Sequence, residues 1–217
     1  MEKKNKKKGF SNTLKIFISL ILILIAIYLI YLILFKNDEQ EKIIVEEIKV
    51  IDKIEKFNYN LDENETDYYK SLFEELSTLV EEENYSEEEY AILLTKLFIT
   101  DFYTLDNKIT KNDIGGLQFV HKDEQEDFIE KAENTIYKYI QSNIYNDRKQ
   151  LLPKVKNVLI DSLTKEKYSY NDETDKEAYK INVNIEYEKE LDYQKKAIIY
   201  LVHEDDMLKI VEMKKHE

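Results

Sequence analysis

Twenty consecutive residues without a charge, "IFISLILILIAIYLIYLILF" from Ile16 to Phe35, constrain this chain more than any other stretch. A helix of that length rises about 30 Å, which matches the hydrocarbon thickness of a bilayer. Lys15 and Lys36 bracket the run, and Tyr28 and Tyr31 lie toward its carboxyl end, where an amphipathic ring reaches the headgroups. A buried core helix rarely runs so far without a polar residue. A cleaved signal peptide has a shorter apolar stretch, ~7–15 residues, ending at small residues. This one ends in "LILFKND", with no A-x-A-like site. The run therefore predicts an uncleaved signal anchor, a single transmembrane helix in contact with membrane lipid over 16–35.

Charge gives the anchor a direction. Residues 1–15, "MEKKNKKKGFSNTLK", carry six lysines and one glutamate, a net of +5; the whole chain is −13, so the remainder sums to −18. By the positive-inside rule the N-terminus is cytoplasmic and the acidic bulk lies outside the membrane. An Asn-, Lys-, Ile- and Glu-heavy vocabulary resembles that of AT-rich bacterial genomes, so the expected location is the bacterial cell membrane. The acidic balance argues against a nucleic-acid partner, which needs a basic face. With no cysteine, the outer part must hold together by its core alone. The expected layout is a basic cytoplasmic tail over 1–15, a transmembrane helix over 16–35, a stem or linker over 36–65 and an extracytoplasmic α+β domain over 66–217.

In the stem, Ile43, Ile44, Val45, Ile48, Val50, Ile51 and Ile54 follow no single period. They suit a short helical stem, which is favoured slightly, or a strand around Glu47 to Lys56 that joins the sheet. "NLDENET" is a polar break expected to mark the domain boundary. Beyond it, Tyr69, Leu72, Phe73, Leu76, Leu79 and Val80 form one helical stripe, with Asp67 as the expected cap. Ser86 followed by Glu89 is a capping-box pattern opening a second helix. That helix is apolar around most of its circumference, with Tyr90, Leu93, Leu94, Leu97, Phe98, Phe102 and Leu105 joined by Ile92 and Ile99, and so should be central. The acids at Glu81–Glu83 and Glu87–Glu89 lack the Asp/Asn alternation and glycine of a calcium loop, and read as a solvated helix start.

Two of the chain's three glycines stand together in "NDIGGLQFVH". A phosphate loop would lead into a helix with a lysine and a hydroxyl residue behind it. Here "LQFVH" follows, so Gly115 and Gly116 are expected to form a structural turn into a short strand. His121, with Asp101 and Tyr103 nearby in sequence, is the one constellation that could transfer a proton or line a pocket. A satisfied structural histidine is the competing reading. His203, at a strand end, and His216 have no evident partner. No cofactor or metal site and no catalytic residue is expected, since Gly-rich fingerprints, GxSxG and HExxH are all missing.

A third helix is expected across "KDEQEDFIEKAENTIYKYIQSNIY", with Phe128, Ile129, Ala132, Ile136, Tyr139 and Ile140 on one face and Pro153 barring its continuation. The period then changes. In "YKINVNIEY", Tyr179, Ile181, Val183, Ile185 and Tyr187 alternate with polar residues, as in a strand with one wet face. "VKNVLIDSLTKEKYSY" precedes it as a long strand. "KKAIIYLVH" and "MLKIVEMK" follow as a hairpin across "EDD". The expected fold class is α+β, three helices on the concave face of a curved antiparallel sheet.

This order of elements, over roughly residues 66–214, resembles the NTF2-like (cystatin-like cone) superfold. With the anchor, the layout is similar to that of VirB8-type and TcpC-type conjugation proteins, and "LFITDFYTLDNKITKNDIGGLQFV" resembles membrane-anchored proteins of low-GC bacteria. The resemblance implies an outer domain used for protein contacts, and implies no catalytic residue. The leading expectation is thus a single-pass, membrane-anchored, non-enzymatic domain that binds a protein partner or associates with itself, with Tyr-rich surfaces suited to recognition. The alternatives are a small-ligand or enzymatic pocket of at least ~300 Å³ joining Asp101, Tyr103 and His121, and attachment to envelope polymers.

Overall fold

A computed structural model describes residues 12–35, 48–171 and 173–215. The chain divides into two compact units, Met1–Val45 and Glu46–Glu217. In the first, α1 is one unbroken helix, Asn12–Phe35. Its described side chains are those of residues 16–29, a rise of roughly 21 Å, and every one of them is exposed. Among the described residues no helix is long and apolar enough to cross a membrane. The basic tail before Asn12, residues 36–47 and His216 lie outside the described residues.

The second unit is α+β. It opens with a hairpin, β1 (Val50–Ile54) and β2 (Tyr59–Asp62), paired with each other and not with the main sheet. Residues 48–65 are therefore neither a helical stem nor a linker. Asn58 takes a positive φ of 56° in the connecting turn, the role glycine fills in less glycine-poor chains. Ile54, Phe57, Tyr59 and Leu61 drop into the core, and the Tyr59 hydroxyl meets that of Tyr90 at 3.1 Å. Burying a ring the size of Tyr59 contributes about 1.5–3 kcal/mol, enough to tie the hairpin to the fold across the expected boundary at "NLDENET".

Helix α2 (Asp67–Glu81) buries the predicted stripe of Tyr69, Leu72, Phe73, Leu76 and Val80, with Leu79 half-buried. Its cap is Thr66 and not Asp67: the Thr66 hydroxyl accepts the Tyr69 N–H at 3.1 Å. Helix α3 (Glu87–Tyr103) is the central one, with Tyr90, Leu94, Leu97, Phe98 and Ile99 at most 1% exposed. Ser86 caps it by accepting from the Glu89 N–H.

Two expectations after α3 fail. "LQFVH" is not a strand: Leu117–Phe119 form a 3₁₀ turn, and the stretch pairs with the sheet at a single isolated parallel bridge, Val120 to Ile210. The third helix, α4, stops at Asn134, having begun at Gln125. At Thr135 the backbone leaves the helix (φ −124°, ψ −101°), and Tyr137, not Tyr139, turns inward. Tyr137 is fully buried, while Tyr139 remains 74% exposed.

The sheet is as expected: β3 (Val155–Tyr170), β4 (Glu173–Tyr187), β5 (Lys196–Glu204) and β6 (Met207–Lys215) in a purely antiparallel meander of order β3-β4-β5-β6. Ile181, Val183 and Ile185 of β4 face the helices, as their alternation requires. The opposite face is not fully wet, since Ala178, Tyr200, Val202 and Val211 form a second, smaller apolar cluster there.

Candidate functional site

The double glycine is built around Asp101. Asp101, near the end of α3, accepts the Gly116 N–H on Oδ2 at 2.6 Å and pairs through Oδ1 with the Lys108 ammonium. Gly115 donates its N–H to the Tyr137 hydroxyl at 3.1 Å, and that hydroxyl donates to the Phe102 carbonyl at 2.7 Å. Lys108 is 4% exposed and lies 4.0 Å from Glu65. The loop that carries Lys108 is stapled by Arg148, whose guanidinium donates to the carbonyls of Asp106, Lys108 and Gln141.

Two carboxyls and one ammonium in so dry a place leave one negative charge too many. Burial, reinforced by the Asp101 carboxylate, pushes the Glu65 carboxyl up to about 8, so at neutral pH it holds its proton. Burial alone would lower the Lys108 ammonium, but Asp101 outweighs it and holds Lys108 above the ordinary lysine value. The cluster is then neutral: an Asp101–Lys108 ion pair beside a protonated Glu65.

The pocket residues expected from sequence have separate partners. Asp101 belongs to this ion pair. The Tyr103 hydroxyl donates to the Met213 sulfur at 3.7 Å. His121 is 7% exposed; its Nδ1 accepts the Asp123 N–H and caps the next turn, its Nε2 lies 3.4 Å from Glu204, and its ring meets Tyr170 edge-on. None of the three lines the partly open cavity of about 170 Å³ between α4 and β6, nor the clefts of about 670 Å³ between α2 and α3 and about 480 Å³ beside the β5–β6 turn.

The densest polar constellation is one that sequence reasoning missed. His203 of β5 has Asp175 Oδ2 of β4 at 2.7 Å from Nδ1 and Glu87 Oε1 of α3 at 3.0 Å from Nε2. Glu87 also accepts from the Tyr179 hydroxyl at 2.6 Å and pairs with Lys165 of β3 at 3.2 Å. Four elements thus meet on one carboxylate and one imidazole. Glu87 lies 116 positions from His203, so no local spacing announces the pair. Burial lowers His203, but the two carboxylates outweigh it and hold the imidazole above its ordinary value. Burial raises Glu87 and Asp175, yet hydrogen bonds from Tyr179, Lys165 and His203 to the one, and from His203 and the Glu177 N–H to the other, leave both below the usual carboxylate range. The arrangement can clamp α3 to the sheet. Among the described residues no group of three His, Asp or Glu is arranged to hold a metal ion.

The signs of these shifts predict the pH profile. Glu65 and His203 are both raised on folding, so each stabilises fully below its unfolded value and loses that contribution as pH climbs through its folded value. For Glu65 that window runs from 4.5 to about 8, with a slope of at most about 1.4 kcal/mol per pH unit. For His203 it begins at 6.5. Urea unfolding should therefore show stability falling from about pH 4.5 to about 8 through Glu65, with His203 adding to the fall from 6.5 upward. Glu65→Gln should flatten most of that fall and His203→Gln a smaller part, whereas an unchanged slope in Glu65→Gln would show that Glu65 is ionised in the fold. Compared with known protein families, curated proteins and solved structures, the chain gives no match.

Proposed function

We propose that this chain is a single-pass membrane protein whose acidic Glu46–Glu217 unit works outside the membrane as a non-enzymatic protein-interaction or assembly domain, of NTF2-like design and part of an envelope or conjugation-type complex. The observation that carries the reading is α1. The uncharged run 16–35 falls within one unbroken helix, Asn12–Phe35, and its described side chains are exposed and, Ser19 apart, apolar. Such a surface is stable only inside protein or lipid. The span itself rests on the sequence: as helix, the uncharged run 16–35 would rise about 30 Å, the thickness of the hydrocarbon core, beyond the roughly 21 Å whose side chains are described. The lysines ahead of it and the acids behind it favour a cytoplasmic N-terminus.

A binding role is favoured over catalysis because Asp101, Tyr103 and His121 are engaged in separate structural contacts. Two measurements test the reading. Protease added to intact cells stripped of their wall should digest the acidic unit and spare the N-terminal tail; survival of the acidic unit would reverse the topology. Crosslinking from the outer face should capture a neighbour, and a strictly solitary chain would leave no interaction role.

A further inference from the structure

The 170 Å³ cavity and the outer side of β6 form one feature. Four consecutive residues of β6, Ile210, Val211, Glu212 and Met213, line the cavity. A bulge at Val211 puts Val211 and Glu212 on the outer face while Ile210 and Met213 face the core, so a cavity lined by all four draws on both faces and runs along the strand's rim. β6 is the last strand of the sheet. Among the described residues, the one backbone–backbone hydrogen bond from outside the sheet onto β6 comes from the His121 N–H to the Ile210 carbonyl, at 2.8 Å. That contact belongs to an isolated parallel bridge at Val120, after which the chain turns away into Lys122–Glu124 and α4. From Val211 onward no backbone–backbone hydrogen bond from outside the sheet reaches this edge among the described residues, and α4 lines the other side of the cavity.

The cavity has an apolar floor of Phe102, Phe128, Ala132 and Ile210, and its volume suits a single aliphatic side chain. Its rim is weakly acidic: Glu124 and Asp127 stand against Lys131, while Glu212 is already paired with Lys214 at 2.7 Å and accepts from the Tyr168 hydroxyl. A second copy of this chain would bring the same acids, and a large negative charge, against this rim. The chain's own basic tail lies across the membrane in the proposed topology.

We propose that the outer edge of β6 takes an extended segment of a basic partner protein by strand addition, seating one apolar side chain, flanked by Lys or Arg, in the cavity beside α4. Backbone hydrogen bonds to an edge strand supply affinity, and the pocket and rim supply choice. The inference deepens the interaction reading above and rests on it.

The test uses the full chain in uncharged detergent micelles. The probe is a fluorescent seven-residue peptide, Lys-Val-Lys-Leu-Lys-Val-Lys, compared with the same peptide in which every Lys is Glu and with one N-methylated on alternate amides. The lysine peptide should bind at least about tenfold more tightly than either control, and less tightly as salt rises. The amide resonances of Val211–Met213 should shift. Ala132→Leu, which fills the cavity, should weaken binding about tenfold. Asp127→Lys, at an exposed position where folding is not at stake, should weaken it severalfold, and Lys131→Glu should strengthen it. Equal binding of all three peptides, or indifference to both Ala132→Leu and Asp127→Lys, overturns the proposal. If crosslinking in cells captures a partner through another face while the peptides fail, the edge site falls and the broader interaction role stands. If the peptides bind as expected but cells yield no neighbour, the edge is competent and the interaction role fails.

Discussion

Asp101→Ala is expected to cost about 3–5 kcal/mol of folding stability, read as a lower denaturation midpoint in urea at pH 7. The loss does not measure the strength of the Asp101–Lys108 attraction, because a buried pair roughly balances its own desolvation. It arises because the Lys108 ammonium, 4% exposed, would keep its charge with no full partner, and because the Gly116 N–H would lose its acceptor. Glu65 modifies the outcome. Relieved of the neighbouring carboxylate, it should ionise toward Lys108 from 4.0 Å, so Asp101→Ala is expected to become less damaging as pH rises, opposite to the wild-type trend. Adding Glu65→Gln removes that rescue and should lower stability by more than the two single losses combined. The paired change Asp101→Leu with Lys108→Met should cost only about 1–3 kcal/mol, the penalty of one unsatisfied buried amide. An Asp101→Ala protein as stable as wild type would mean that Lys108 reaches water and that the cluster is not buried in solution.

Local periodicity made the elements visible, and long-range partnership hid what joins them. α2 and β4 were readable because each repeats its apolar residues at one period, whatever the rest of the chain does. The end of α4 was not, since the helical period put Tyr139 on the apolar face with Phe128 and Ala132 and Tyr137 on the opposite one. The choice between them falls to the Phe102 carbonyl and the Gly115 N–H, 35 and 22 positions away in sequence. The hairpin of β1 and β2 was obscured because its turn uses Asn58 in place of glycine. Asn146, Asn171, Asp192 and Asp205 take positive φ as well, so scarcity of glycine does mean turns built from Asn and Asp, as composition suggests. Lys108 gave no signal of its own: in "LDNKITKND" it stands three residues from Lys111 in a polar stretch, and its importance appears only when Asp101 and Glu65 close around it. Asp101, singled out as a pocket residue, is instead the keystone of that buried pair.

Gly115→Ala should be about as damaging as overpacking allows, about 1–3 kcal/mol, although its backbone sits where any residue is at ease. A Cβ there would stand inside contact distance of the Asp101 carbonyl oxygen and Oδ1, and 2.6 Å from the carbonyl carbon. The obstacle is mostly main chain at the end of α3, which cannot swing aside. Gly116 differs: its φ of 79° is left-handed, and an added Cβ would meet the Phe98 ring at 2.7 Å. Five Asn and Asp residues elsewhere tolerate positive φ, so torsion alone does not demand glycine at 116; the approach of Phe98, stacked on Phe102 at 5.8 Å, does. A double-mutant cycle separates the two positions. Asp101→Ala removes one of the atoms that Gly115→Ala strikes, so that pair should cost less than the sum of its parts. Gly116→Ala strikes an aromatic ring, and combining it with Asp101→Ala should relieve nothing. Were the two glycines a cradle for a ligand, either substitution would leave the midpoint of the unliganded chain in place, and thermal melts of the two variants against wild type decide between the readings.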